Sequence, residues 1–350
     1  MAHIIPQAVL HRLRNLRDLV YQDESQGDGN EPNAAQSSNE PFSPTPIDVV
    51  VTRIMLCKSK RLPPSIVDVI FDFAEYWAHS SNEMDYLAEH GDPLKINGSS
   101  PIENKFLLRS LPVGLTGIQG KKELAEVLAY DTNEAKPRPL GNEHDPTYFA
   151  KIADYPTPKL LHPVRKVVFT IRSRDQGWGG ERERRHPYSG SWTWFEAGLE
   201  RFDKDQTCDP LCTYDVRFKS SASTASPLPV CGLRPLYPSI VPEEGEEGEE
   251  GKFNYTFPLS HQDKWIIQIN KTAHRAYQDH VVTWSYLDNV APESDDAQKL
   301  EEEGRGRETG DGWFVRDLKL GDVVTIWAKA RFPAWVNRVE KVKVDVYWAV

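Results

Sequence analysis

Residues 320–348, "LGDVVTIWAKARFPAWVNRVEKVKVDVYW", contain two runs of period two on either side of a proline-containing turn. In the first, Val324, Ile326, Ala328 and Ala330 share a face; in the second, Val342, Val344, Val346 and Trp348 oppose Lys341, Lys343, Asp345 and Tyr347. Period two sends successive side chains to opposite faces of a strand, so each run predicts a strand with one buried face. The same alternation recurs upstream. Val167, Phe169 and Ile171 alternate with Lys166, Val168, Thr170 and Arg172; Trp265, Ile267 and Ile269 alternate with Ile266, Gln268 and Asn270; Val282, Trp284 and Tyr286 follow. Alternating segments divided by Gly, Pro and Asp turns, with no long helix between them, predict antiparallel sheets packed face to face over 161–350. The chain is therefore read as mainly β, with a helical N-terminal part and a β-sandwich in the C-terminal half.

Ahead of the sandwich the period changes. Val9, Leu10, Leu13, Leu16, Leu19 and Val20 recur at three- and four-residue spacing between Arg12, Arg14 and Arg17, which predicts an amphipathic helix over 1–22. Residues 23–46 are polar and hold almost nothing to bury against the entropy of ordering, so they read as a linker. A helical or irregular region is expected over 47–160, with a strongly apolar helix at 62–78 that Ser65 and Asp68 would cap and that should be buried on most sides. Residues 80–163 are rich in Gly, Pro and Asn and offer only a short helix at 122–129.

At 350 residues and 39 % hydrophobic content the chain can fill one large core or two ordinary ones. Its net charge of −10 is concentrated: 243–250 contributes −6 and 293–311 contributes −5, which leaves about +1 elsewhere. The two acidic stretches, 243–251 and 293–312, read as solvated loops, with an acidic docking surface as the alternative. No concentrated basic face is visible, which argues against nucleic acid as a main partner. Four unevenly spaced cysteines do not make a disulfide framework, and no apolar run is long enough to span a bilayer. A cytoplasmic or nuclear location, without membrane, is expected.

The densest constellation is "RSRDQGWGG" (172–180) with "YSGSWTWFEAGLERF" (188–202), read as two strands joined by a charged loop. Arg174, Asp175, Trp178, Trp192, Trp194 and Glu196 could share one rim there, joined by Trp335 from the loop "RFPAWVNR". Indole faces beside carboxylates and guanidinium groups suit a sugar or a peptide. Alternatively, Trp192 and Trp194 belong to a strand's core face. Asp175 and Glu196 also have the composition of a glycosidase acid and base pair, a remote alternative. The histidines show no metal-ligand spacing, and Cys208 with Cys212 has no second pair to complete a zinc site. Neither a phosphate-binding glycine loop nor a nucleophile elbow is present, so no cofactor, metal or catalytic residue is expected.

"RLPPSIVDVIFDFAEYW" (61–77) resembles the opening of an F-box, in which a Leu-Pro pair precedes a helix that binds a Skp1-like adaptor. The resemblance places partner docking on Leu62, Pro63, Ile66, Ile70 and Phe71; Ser65 stands where an acidic residue is usual. Together with "DQGWGG", "SWTWFE" and the C-terminal run, the chain also resembles a family of uncharacterised fungal proteins. A looser similarity is to F-box proteins whose sandwich is galactose-binding-like, or jelly-roll in type. These resemblances imply a non-enzymatic recognition protein that holds a client or glycan-like ligand on the sandwich and a partner on the helices. A stand-alone carbohydrate or small-molecule binding module is the alternative.

Overall fold

The computed structural model describes residues 43–116, 133–153, 155–179, 185–206, 228, 230–243 and 252–350. The expected helix over 1–22, most of the linker, the short helix at 122–129, Cys208, Cys212 and the acidic run after Glu243 lie outside them.

Two antiparallel sheets carry the fold. Sheet A has the order β1 (Ala78–Asp85), β12 (Val336–Trp348), β4 (Val164–Arg174) and β10 (Gln278–Ser285), with β2 (Leu94–Asn97) also on β12. The thirteen-residue β12 pairs β4 along one edge, while β1 and β2 share its other edge. Sheet B has the order β3 (Asn104–Arg109), β11 (Val323–Ala330), β5 (Thr193–Phe202) and β6 (Leu233–Tyr237), with β9 (Ile266–Ile269) on β5. A ribbon of β7 (Ile240–Pro242) and β8 (Phe253–Tyr255) brackets the acidic run.

One apolar core fills the space between the sheets. Val167, Phe169, Ile171, Val342, Val344, Val346 and Trp348 of sheet A meet Phe195, Ala197, Val324, Ile326, Ala328 and Ala330 of sheet B, all fully buried. The two faces predicted from 320–348 are thus the two inner faces of the sandwich, each large side chain contributing about 1.5–3 kcal/mol by burial. At one end the core closes on a polar network. Ser173 donates to Asn270 at 2.7 Å, and Asn270 donates to Asn337 at 2.9 Å and to Thr193 at 3.1 Å. Asn337 in turn donates to the carbonyls of Trp194 and Lys329, both at 3.2 Å, so a satisfied network ties strands of both sheets together.

Three expectations need correction. The sandwich begins at Ala78, because β1, β2 and β3 complete the sheets from within the region read as helical or irregular. β1 buries Ala78, Ser80, Asn82 and Met84 in alternation, and a half-polar inner face leaves no hydrophobic period to read. Residues 293–312 are not merely a solvated loop: Asp295–Glu302 forms a helix. Ser294 caps it, Asp295 and Asp296 sit favourably in its first turn, and Ala297 packs inward. The helix expected at 62–78 spans only Pro64–Ala74, with Pro63 as an N-cap that offers no side-chain bond; Ser65 and Asp68 do not cap it. Glu75, left-handed at φ 51°, ends it and turns the chain into β1.

That helix, α2, forms a hairpin with α1 (Pro46–Ser59), which opens on a capping box between Thr45 and Asp48. The hairpin sits where β1 and β4 begin and β12 ends. Trp77 Nε1 donates to Asp72 at 3.0 Å, Arg165 pairs with Asp72 at 2.9 Å, Lys166 pairs with Glu75 at 2.5 Å, and Arg53 donates to the Val350 carbonyl at 2.9 Å.

Candidate functional site

β4 runs eleven residues from the hairpin to the opposite end of the sandwich, about 35 Å at the usual rise of a strand. There Asp175 shapes the loops. Its fully buried carboxylate accepts from the amide of Gly177 at 2.7 Å, from His274 at 3.1 Å and from Ala273, binding the β4–β5 loop to the β9–β10 loop. Burial pushes the carboxyl above its usual range, and the three amides pull it back. Gly177 and Gly179 are left-handed at φ 85° and 91°, a conformation glycine tolerates without a Cβ clash. The turn they make throws Trp178 outward, 59 % exposed. Gln176 donates to the Trp178 carbonyl at 2.7 Å and accepts from the Val336 amide at 3.3 Å, so the turn is also tied to β12.

The neighbouring loops meet this turn. Trp335 is half-buried, and its carbonyl accepts from the Gly98 amide at 2.9 Å. Trp192 stands edge-on to Phe332 at 4.7 Å, and Arg174 lies over the Tyr277 ring at 4.9 Å. Ser99, Ala273, Phe332 and Ala334, all in loops at this end, are left-handed without being glycine. Strained backbone of this kind persists only where the surroundings fix it, and it concentrates at binding and catalytic loops. Arg174, Trp178 and Trp335 therefore lie at one end of the sandwich, with Asp175 bracing the turn that carries Trp178, while Trp192 packs against Trp194 and His261.

Trp194 and Glu196 are not on that rim. β4 and β5 lie in different sheets, and Trp192, Trp194 and Glu196 point away from the core on the outer side of sheet B. That side is covered by Tyr237, Tyr255, Phe257 and His261. Glu196, 1 % exposed, accepts from Trp194 Nε1 and from Tyr237 Oη, both at 2.7 Å, and pairs with Lys329 at 2.6 Å. His261 packs edge-on to Trp194 at 4.5 Å, and Arg331 lies over the same indole at 5.2 Å. Burial drives the Lys329 ammonium down, against the pull of Glu196, and holds His261 at about 4. A second buried pair, Arg109 with Glu200 at 3.1 Å, lies on the same outer side. Shared rim contact for Trp194 and Glu196 is thus corrected to a buried ionic layer. Spacing alone placed 192, 194 and 196 on one face; it carried no sign that distant chain covers that face. Lys329 was missed for the same reason, although a lysine inside "VTIWAKA" is a visible anomaly. The partners of Asp175 and Glu196 are structural, and neither carboxylate reaches solvent.

The hairpin presents a different surface. Val49, Val67 and Phe71 form its small core. Ile47, Val51, Ile54 and Met55 on α1, with Ile66, Val69 and Phe73 on α2, are 43–61 % exposed. The spacings i, i+4, i+7, i+8 and i, i+3, i+7 put each set on one helical face. The expectation that 62–78 is buried on most sides is corrected: only one side of α2 meets protein, because the hairpin lies at the end of the sandwich rather than inside it. Of the residues assigned to docking, Ile66 and Pro63 are exposed, Leu62 and Ile70 are half-buried, and Phe71 is committed to the core. A cleft of about 550 Å³ separates the hairpin from the sandwich, lined by Arg53, Phe71, Tyr76, Leu160, Arg165 and Val350 among others. Among the described residues no three metal-ligating side chains converge, and no helix is long and apolar enough to cross a membrane. No family model, no curated protein and no solved structure matches the chain.

Proposed function

We propose that this chain is a non-enzymatic recognition protein with two working ends: a helical hairpin that docks a Skp1-like adaptor, and a sandwich end that holds a client or glycan-like ligand. The exposed apolar stripe on α1 and α2 carries the reading. Seven large apolar side chains on two adjacent helices exceed the scattered exposure normal for a monomer, and contiguous patches of this kind mark protein partners. The F-box-like sequence supplies the kind of partner, and the rigid ion-paired seat of the hairpin would hold that partner at a fixed distance from the ligand. The galactose-binding-like variety of sandwich belongs to this same proposal. Burial of Val67 and Phe71 favours the second reading, a free-standing binding module in which the hairpin completes the fold.

The test uses purified full-length chain and purified adaptor in a titration by calorimetry. Ile66→Asp/Val69→Asp changes two exposed positions, so its fold should stay within about 0.5 kcal/mol per site of the original. Saturable binding by the original chain and none by this variant supports the adaptor reading. No binding by the original chain removes that reading and leaves the module.

A further inference from the structure

The outer face of sheet A carries three cations abreast. The β12 ladder pairs Arg338 with Arg174 on β4 and with Lys95 on β2, so the three side chains leave the same face from neighbouring strands about 5 Å apart. Elsewhere on this face cations are answered. Lys341 pairs with Glu83 at 2.7 Å, and Arg172 pairs with Asp279 and Glu340, both at 2.6 Å. Among the described residues no carboxylate pairs with Lys95, Arg174 or Arg338, and the Nε atoms of both arginines are buried without an acceptor. Asp175, next in sequence to Arg174, turns inward onto three amides and makes no ion pair with Arg174, which acts on it only through space and donates from Nη1 to its backbone carbonyl at 3.3 Å. The stem of Arg275 and Arg174 Nη1 flank the space above Gly177 in the turn that follows the row. Like charges set directly opposite one another weaken a sheet. A row of them, beside the exposed Trp178, is a surface prepared for an anion.

We infer that this row is an oxyanion subsite, and that the sandwich end takes a sugar-like ligand bearing a carboxylate, sulfate or phosphate, its ring against Trp178 and its anion over Arg338. The inference rests on the reading of that end as a ligand site and gives it a substrate class. Guanidinium forks bind oxyanions through paired N–H donors, and Tyr277 beneath Arg174 fixes the plane of one fork. A neutral sugar would leave the row unanswered, so charge on the ligand becomes the element of selection.

Calorimetric titration of the full-length chain at low ionic strength compares glucose with glucose 6-phosphate, glucose 6-sulfate and glucuronate, and with inorganic phosphate. The charged sugars should bind roughly ten-fold or more tighter than glucose, and Arg338→Gln or Lys95→Gln should remove that advantage. Trp178→Ala should weaken every sugar and leave inorganic phosphate unchanged. Equal affinity for charged and neutral sugars, both lost in Trp178→Ala, overturns the oxyanion subsite while the ligand site stands. Anion binding that ignores Trp178 but needs Arg338 keeps the subsite and removes the sugar. If no sugar binds, thermal stabilisation by sulfate decides: an equal gain in the original chain and in Arg338→Gln overturns the subsite.

Discussion

Replacing Lys329 by Met tests whether the layer on the outer side of sheet B is structure or site. The Glu196–Lys329 contact is 2.6 Å long with both side chains 1 % exposed. At an effective dielectric near 20 the attraction is about 6 kcal/mol, and several kcal/mol of desolvation for each ion offset it. The intact pair is therefore close to neutral in stability. Lys329→Met removes the attraction and leaves the desolvation of Glu196, whose remaining donors are Trp194 and Tyr237. The expected cost is about 3–5 kcal/mol, equivalent to a fall in Tm on the order of 10 °C for a chain of this size. Glu196→Leu should cost a similar amount, because it strands the ammonium beside the Phe257 ring, 4.9 Å away. The double variant Glu196→Leu/Lys329→Met should lose far less than the sum of the two, since no charge is left unpaired. Urea unfolding followed by circular dichroism gives all three values. Single variants within about 1 kcal/mol of the original, or a strictly additive double, would refute the picture of a dry, coupled pair.

Three further outcomes follow from named contacts. His261 and His280 are both held near 4 by burial against an ordinary value of 6.5, so each stays neutral in the fold while the unfolded chain takes up a proton. Stability should consequently fall as pH drops from about 6.5 to about 4, with a slope approaching about 1.4 kcal/mol per pH unit for each histidine. An unchanged slope in His261→Gln/His280→Gln, measured by urea midpoints, would contradict this. Asp175→Ala strands three amides at about 1–3 kcal/mol each in the worst case and should raise hydrogen exchange at Gly177, Ala273 and His274 while core strands stay protected. Protection that is unaltered at those amides would show that the loops do not depend on Asp175. On the hairpin, Phe71→Ala should cost about 3–5 kcal/mol and Phe73→Ala less than about 1 kcal/mol, since the first is 5 % and the second 51 % exposed; equal thermal shifts would overturn the assignment of faces.

What the sequence by itself determined was the sandwich, because period two with a buried face depends only on the geometry of a strand. Val342, Val344, Val346 and Trp348 announce their face wherever the chain is placed, as do Val324, Ile326 and Ala328. The grouping of Arg174, Trp178 and Trp335 was legible as a composition. Its shape was not, since the turn at Gly177 depends on Asp175 reaching amides nearly a hundred positions away. β1 was hidden because Ser80 and Asn82 occupy inner positions that a hydrophobic pattern leaves blank. Tertiary structure alone decided which faces are dry. It roofed sheet B and so buried Glu196 and Lys329, and it left α1 and α2 half-covered at the end of the sandwich. It also set Lys95, Arg338 and Arg174 side by side from three separate strands. Local periodicity assigns a side chain to a face; only the packing of distant segments decides whether that face meets water, protein or another cation.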